Sequence, residues 1–151
     1  MAIILNENSY ITLQEAIDYH TARGNTAFTD LATAEQESLI IKATDYIETM
    51  YYNQFINEPL DENQSLLFPR VDILTPKRVK EAIYTLTIKL IDRESLIEDA
   101  DKRIIEDTIA VITTKYDLSS NQLTQYVDVM NLLSPYLIKE GSSINGSVYR
   151  V

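Results

Sequence analysis

Side chains able to do chemistry are few in this sequence, and they are scattered. His20 is the single histidine. It falls on the same side of a predicted helix as Leu13, Ala16 and Ile17, where an imidazole packs more often than it exchanges protons. No cysteine or nucleophile motif accompanies it. Asp92, Glu94, Glu98, Asp99 and Asp101 could in principle collect a divalent cation, but charge runs of this kind usually mark a solvated face. Asp117, Ser119, Asn121 and Asp128 loosely echo a calcium loop, yet Gln122 stands where such a loop needs glycine for its sharp turn. Three glycines in the whole chain cannot build a phosphate-cradling loop. Of the ten tyrosines, Tyr46, Tyr84 and Tyr126 keep helical spacing with apolar neighbours, which favours packing or interface roles over base stacking. The sequence therefore assigns no catalytic, cofactor-binding or metal-binding residue, and no cofactor.

Charge narrows the partners. The 151 residues carry 13 basic against 23 acidic side chains, a formal net charge of −10. Nucleic-acid affinity rests largely on Lys and Arg neutralising phosphates, so tight binding is disfavoured unless the basic residues cluster sharply. Arg70, Lys77, Arg78 and Lys80 make too small a cluster to reverse that balance. No apolar run reaches the roughly 18 residues that a membrane span needs, and the start, MAIILNEN, lacks the pattern of a signal peptide. The absence of cysteine fits assembly in a reducing cytoplasm.

The elements that would position these residues are mostly helical. Residues 1–9 read as an extended arm offering Ile3, Ile4 and Leu5. Thr12 and Glu15 form a capping-box pattern for a helix to about Arg23, which Gly24 stops. Asn25 to Leu31 reads as loop anchored by Phe28. Thr33 opens a second helix, with Gln36 as its capping partner and Leu39, Ile40, Ala43, Ile47 and Met50 as its stripe. Tyr46 widens that face, and Tyr51 and Tyr52 close it. A long connection, Asn53 to Thr75, ends in the apolar trio Leu66, Leu67 and Phe68; loops of that length are usually functional or disordered. Thr75 as N-cap and Pro76 at the first helical position open the core helix. Its stripe is Val79, Ala82, Ile83, Leu86, Leu90 and Ile91, widened by Tyr84 and Ile88. Asp92 to Lys102 is acidic and turn-like. Ile104 to Tyr116 fits a helix by spacing but a strand by its β-branched run Thr108 to Thr114. A last helix, Tyr126 to Leu137, turns Val127, Met130, Leu133 and Leu137 inward. Residues 141–151 form a flexible tail ending in Val148, Tyr149, Arg150 and Val151, and an apolar segment after such a leash suits docking on a neighbour.

Several stretches, in order, resemble one family. Asn8 to Ala16 (NSYITLQEA) is similar to its opening NSYVSLAEA, and Tyr19 to Asn25 (YHTARGN) to its YFAARGN. Leu39 to Tyr46 (LIIKATDY) resembles LIRATDY. Phe68-Pro69-Arg70 stands where the family has Trp-Pro-Arg. Thr75-Pro76 with Val79 to Ala82 resembles its IPxxVKxA helix start. Leu132 to Leu137 (LLSPYL) resembles LLxPLL, and Val148 to Val151 its RV tail. Phe68 and Thr75 depart from the usual Trp and Ile, and Glu94 to Tyr116 is not clearly shared. This is the tailed-phage head–tail connector (adaptor) family, often labelled DnaT-like, and the likeness covers almost the whole chain.

The resemblance implies a mainly α fold: a small bundle of about four helices with a small β element near Thr108 to Tyr116 and extended N- and C-terminal arms, in one domain over residues 1–151. It implies a non-catalytic virion protein of the neck, assembled in the host cytoplasm. Copies would form a homo-oligomeric ring, usually dodecameric, beneath the portal protein. That ring would extend the channel through which double-stranded DNA slides without tight binding, and would offer a platform for the next neck or tail (stopper or terminator) protein. A heterologous ring needs two different complementary patches per subunit, for which the Ile3 to Leu5 arm, the Asn53 to Thr75 connection and the Val148 to Val151 tail are the candidates. The expected partner-binding residues are Ile3, Ile4, Leu5, Phe68, Arg70, Val148, Tyr149, Arg150 and Val151. Two other readings stand beside this one: a single-stranded-DNA or primosome-like binding module, and a small metal-dependent enzyme built on the acids between Asp92 and Asp101.

Overall fold

Capping chemistry sets where the chain enters its first helix in this computed structural model, which describes residues 2–91, 103–106, 115–117 and 126–139. In α1 (Leu13–Ala22) the Thr12 hydroxyl accepts from the Glu15 amide at 3.2 Å, while the Glu15 carboxylate accepts from the Thr12 amide at 2.8 Å. The expected capping box is therefore present. Gly24, at φ +65°, ends the helix in the left-handed region that suits glycine.

The stretch read as loop contains a single helical turn, α2 (Thr26–Thr29). It forms because Phe28 is fully buried against His20, with ring centroids 4.3 Å apart. α3 (Thr33–Met50) begins after Ala32, where Glu35 rather than Gln36 accepts from the cap amide, at 3.2 Å. Gln36 is buried and donates to the Phe28 carbonyl at 3.0 Å, tying α3 to α2. The stripe Leu39, Ile40, Ala43, Tyr46, Ile47 and Met50 is buried, as is Tyr51, whereas Tyr52 is 65% exposed.

α4 (Lys77–Leu90) starts one residue later than expected, with Pro76 as the cap residue and no cap bond from Thr75. Pro76 instead presents its carbonyl to the Val79 amide at 3.0 Å. Val79, Ala82, Ile83 and Leu86 are fully buried, and each large aliphatic side chain so buried contributes about 1.5–3 kcal/mol. The helix touches α1, α2, α3 and α5 (Val127–Leu133), so it is the core helix the spacing predicts. Ile88 lies at its margin, partly exposed.

β1 (Arg103–Glu106) and β2 (Lys115–Asp117) pair antiparallel, with Arg103 opposite Asp117 and Ile104 opposite Tyr116, and an irregularity before Glu106. The small β element therefore includes residues upstream of the expected strand, and the β-branched run lies outside the described residues. α5 ends at Leu133 in a 3-10 turn, Ser134–Tyr136, because Pro135 has no amide to continue the ladder. Its inward residues are Val129 and Leu133. Val127 and Met130, expected inside, face outward, a different phase of the same period. Leu137 leaves the helix and bridges to Phe55.

Among the described residues the chain is a mainly α small domain with five helices. The N-terminal arm is folded rather than extended. The Ile4 carbonyl accepts from the Glu7 and Asn8 amides, each at 3.1 Å, and Leu5 bridges to Ser9.

Candidate functional site

A loop that carries a binding surface must first be held still. The connection over 53–75 has no helix or strand of its own, yet its turns are specified locally. Asn53, Asn57 and Asp72 sit at φ near +60°, a region that Asn and Asp tolerate better than other side chains. Phe55 and Phe68 are buried edge-to-face, their ring centroids 4.8 Å apart. The limbs meet where the Leu60 amide donates to the Pro69 carbonyl at 3.2 Å and the Val71 amide to the Glu58 carbonyl at 2.9 Å.

Arg70 is the internal clamp. Its side chain is buried, and its guanidinium donates to the carbonyls of Ile56 (2.8 Å), Asn57, Leu67 (3.1 Å) and Phe55 (3.5 Å). A planar five-donor fork suits this task, in which several carbonyls from two limbs converge. A second anchor joins three distant segments. The Tyr10 hydroxyl donates to Glu48 on α3 and accepts from the Phe68 amide at 3.1 Å, while Glu48 also accepts from the Leu67 amide at 2.9 Å. Burial, then the adjacent Glu48 charge, pushes the Tyr10 hydroxyl far above its ordinary pKa. Burial also raises the Glu48 carboxyl.

Among the side chains this scaffold presents outward, beside Glu58, Asp61, Glu62 and Asp72, are three large aliphatic ones. Leu74 is 80% exposed, Leu60 59% and Val71 42%, although each lies within a tightly bonded loop. Of the residues singled out as partner contacts, Ile4 and Leu5 are exposed and Ile3 is half-buried against the core. Phe68 and Arg70 face inward: burial and the carbonyl cage occupy them, so in the free subunit they shape the loop rather than offer a surface. Val148 to Val151 lie outside the described residues, as does the acidic run from Asp92 to Asp101. Sequence reading named the connection over 53–75 as a candidate patch but did not single out Leu60, Val71 and Leu74 as its exposed aliphatic side chains. The available signal was their place in a long Pro- and Asp-bearing connection rather than in any periodic stripe.

His20 is a packing residue. Thr87 spends its hydroxyl proton on the Tyr84 carbonyl at 2.7 Å, so its oxygen accepts from His20 Nε2–H at 2.9 Å. His20 Nδ1 then accepts from Asn25 at 3.1 Å, which fixes the neutral tautomer. Burial, helped by Arg23, brings the imidazole down to about 4.

Aromatic and basic groups meet beside α1 and α4. Tyr84 stacks on Tyr19 at 4.1 Å and the Arg23 guanidinium lies 3.5 Å from the same ring centre. Two groups that close cannot share one face, so both faces of Tyr19 are covered and no base could stack there without displacing one of them. Lys80 nearby is paired with Glu15 at 2.8 Å. Among the described residues no group of His, Asp or Glu is arranged to hold a metal ion, and no helix is long and apolar enough to cross a membrane.

Residues 2–151 match the family described as "Putative DnaT-like ssDNA binding protein". Comparison with curated proteins gave no match, and comparison with solved structures gave none. The family match spans all but the first residue, and the chain therefore belongs to this DnaT-like family.

Proposed function

We propose that this protein is a non-catalytic structural subunit, a head–tail connector of a tailed bacteriophage. In this reading copies join into a ring below the portal, extend the DNA channel and offer the next neck or tail protein a platform. The observation that carries the reading is the connection over 53–75, an irregular segment clamped by Arg70 and by the Tyr10–Glu48 pair that turns Leu60, Val71 and Leu74 to solvent. A rigid loop of exposed aliphatic side chains binds protein surfaces with little ordering cost. The exposed Ile4 and Leu5 supply a second apolar patch on another segment, and a heterologous ring requires two patches per subunit. The charge of −10 suits a channel wall along which a duplex slides, because unpaired carboxylates repel phosphates.

The family description favours a second reading, a module that binds single-stranded DNA. That role calls for a cationic groove with aromatic faces open to stacking. Tyr19 is covered on both faces, and the exposed Tyr52 borders Asp61 and Glu62 in one cavity. Fluorescence anisotropy with a labelled oligonucleotide separates the two readings. The connector reading expects no saturation with micromolar protein at about 150 mM salt, and weak binding at most in about 50 mM. Saturable binding in the higher salt would favour the nucleic-acid module instead.

A further inference from the structure

Two of the exposed aliphatic side chains of the long connection share one face. Pro59 bridges to Arg70 and Arg70 to Ile73, each antiparallel. The Leu60 amide donates to the Pro69 carbonyl at 3.2 Å and the Arg70 amide to the Ile73 carbonyl at 2.8 Å. Counted from those bridges, Leu60, Pro69 and Leu74 stand side by side across a miniature three-segment ribbon. Neighbouring positions along an extended segment point to opposite faces. Arg70 is buried and Ile73 half-buried against the core, so the Leu60–Pro69–Leu74 row takes the outer face. The exposure of Leu60 and Leu74 agrees with that placement.

Charges of opposite sign stand at the two ends of this row. Toward the turn at Val71 and Asp72 lie the exposed carboxylates of Glu58 and Asp72. In the other direction the chain leaves Leu74 for the first turn of α4, which carries the exposed Lys77 and Arg78. Lys77 is held only loosely, 3.9 Å from Glu81, and such a surface pair contributes little. Asp61 and Glu62 line the cavity on the Pro59 side of the ribbon instead. Acid, apolar row, base: a face in that order is complementary to itself when turned through half a revolution. We propose that it pairs with the same face of a second copy about a two-fold axis. The apolar rows meet, and Glu58 and Asp72 of each copy face Lys77 and Arg78 of the other. A contact of this kind needs one patch per chain and closes at two copies. The patch is small beside a standard interface, so the association is weak, on the order of 10–100 µM. The inference concerns the free subunit and does not depend on the connector reading. The dimer keeps the apolar row from water until another protein displaces the second copy.

Sedimentation equilibrium of the full chain between about 10 µM and about 1 mM tests this. The mass should rise from monomer to dimer and no further. Leu74→Ser should weaken the association at least about tenfold. Glu58→Lys with Asp72→Lys makes both ends basic, and Lys77→Glu with Arg78→Glu makes both ends acidic. Each pair of changes should weaken self-association about tenfold. Mixing the two charge variants should restore it, because each end of one then meets its opposite on the other. All five positions are exposed, and circular dichroism checks that each variant folds. A chain still monomeric at about 1 mM would overturn the proposal. A dimer indifferent to Leu74→Ser, or a mixture that stays monomeric, would overturn it equally. Growth past the dimer would also overturn it, while leaving the connector reading standing.

Discussion

Replacing Arg70 with alanine removes a side chain that donates to backbone carbonyls of both limbs of the long connection. Its guanidinium donates to four backbone carbonyls and is 7% exposed. Hydrogen bonds to a charged group contribute about 1.5–3 kcal/mol each, and a buried acceptor left unpaired costs about 1–3 kcal/mol. Those terms do not simply add, because the four bonds share one donor group and water can enter the space it leaves. A loss of about 3–5 kcal/mol follows. For a chain of this size that lowers the melting midpoint by roughly 10 °C. Arg70→Lys keeps the charge but replaces a planar fork with one ammonium, which cannot reach all four carbonyls, so about half the loss is expected. Thermal unfolding followed by circular dichroism measures both variants. Limited proteolysis should show new cleavage between residues 53 and 75 of Arg70→Ala before α4 is attacked. An Arg70→Ala midpoint within about 2 °C of the parent, with the connection still resistant, would refute the clamp.

Two further perturbations follow from buried polar groups. His20, as the single histidine, can be followed directly by proton NMR, and it should stay neutral between pH 8 and about 5.5 because burial holds it near 4. The unfolded imidazole binds its proton at about 6.5, so this site stabilises the fold above that pH. Its contribution is lost as the pH falls from 6.5 toward 4, by about 2–3 kcal/mol in total. A titration midpoint near 6.5 in the folded chain would contradict the neutral-tautomer network. Tyr10→Phe keeps the buried ring but orphans the Phe68 amide and one Glu48 oxygen; urea unfolding should show a loss of about 1–3 kcal/mol, and an unchanged midpoint would remove Tyr10 from the anchor.

The legible parts of the fold were those written as local patterns. The three- and four-residue spacing of Val79, Ala82, Ile83, Leu86 and Leu90 marked α4 as central, and the Thr12–Glu15 box marked the start of α1. α2 escaped notice because one turn is too short for a period to show; it exists through the burial of Phe28 and the Gln36 bond to its carbonyl. The phase of α5 was misread because Val127 and Val129 both fit a helical stripe over so few residues, and only packing against α4 chooses Val129. The candidate site was harder still. Arginine is seldom buried, so Arg70 read as a surface group, and nothing local announces that four carbonyls from distant turns will converge on it. The Tyr10–Glu48–Phe68 junction joins residues 38 and 58 positions apart, a separation that single-sequence patterning does not reach.

Mixing the purified full chain with the portal protein that the connector reading assigns to it, and imaging the particles by negative-stain electron microscopy, puts that reading to its most direct test. The reading predicts a second ring stacked coaxially on each portal ring. Bare portal rings, in a preparation whose unassembled chain retains single-stranded DNA at physiological salt, would contradict it.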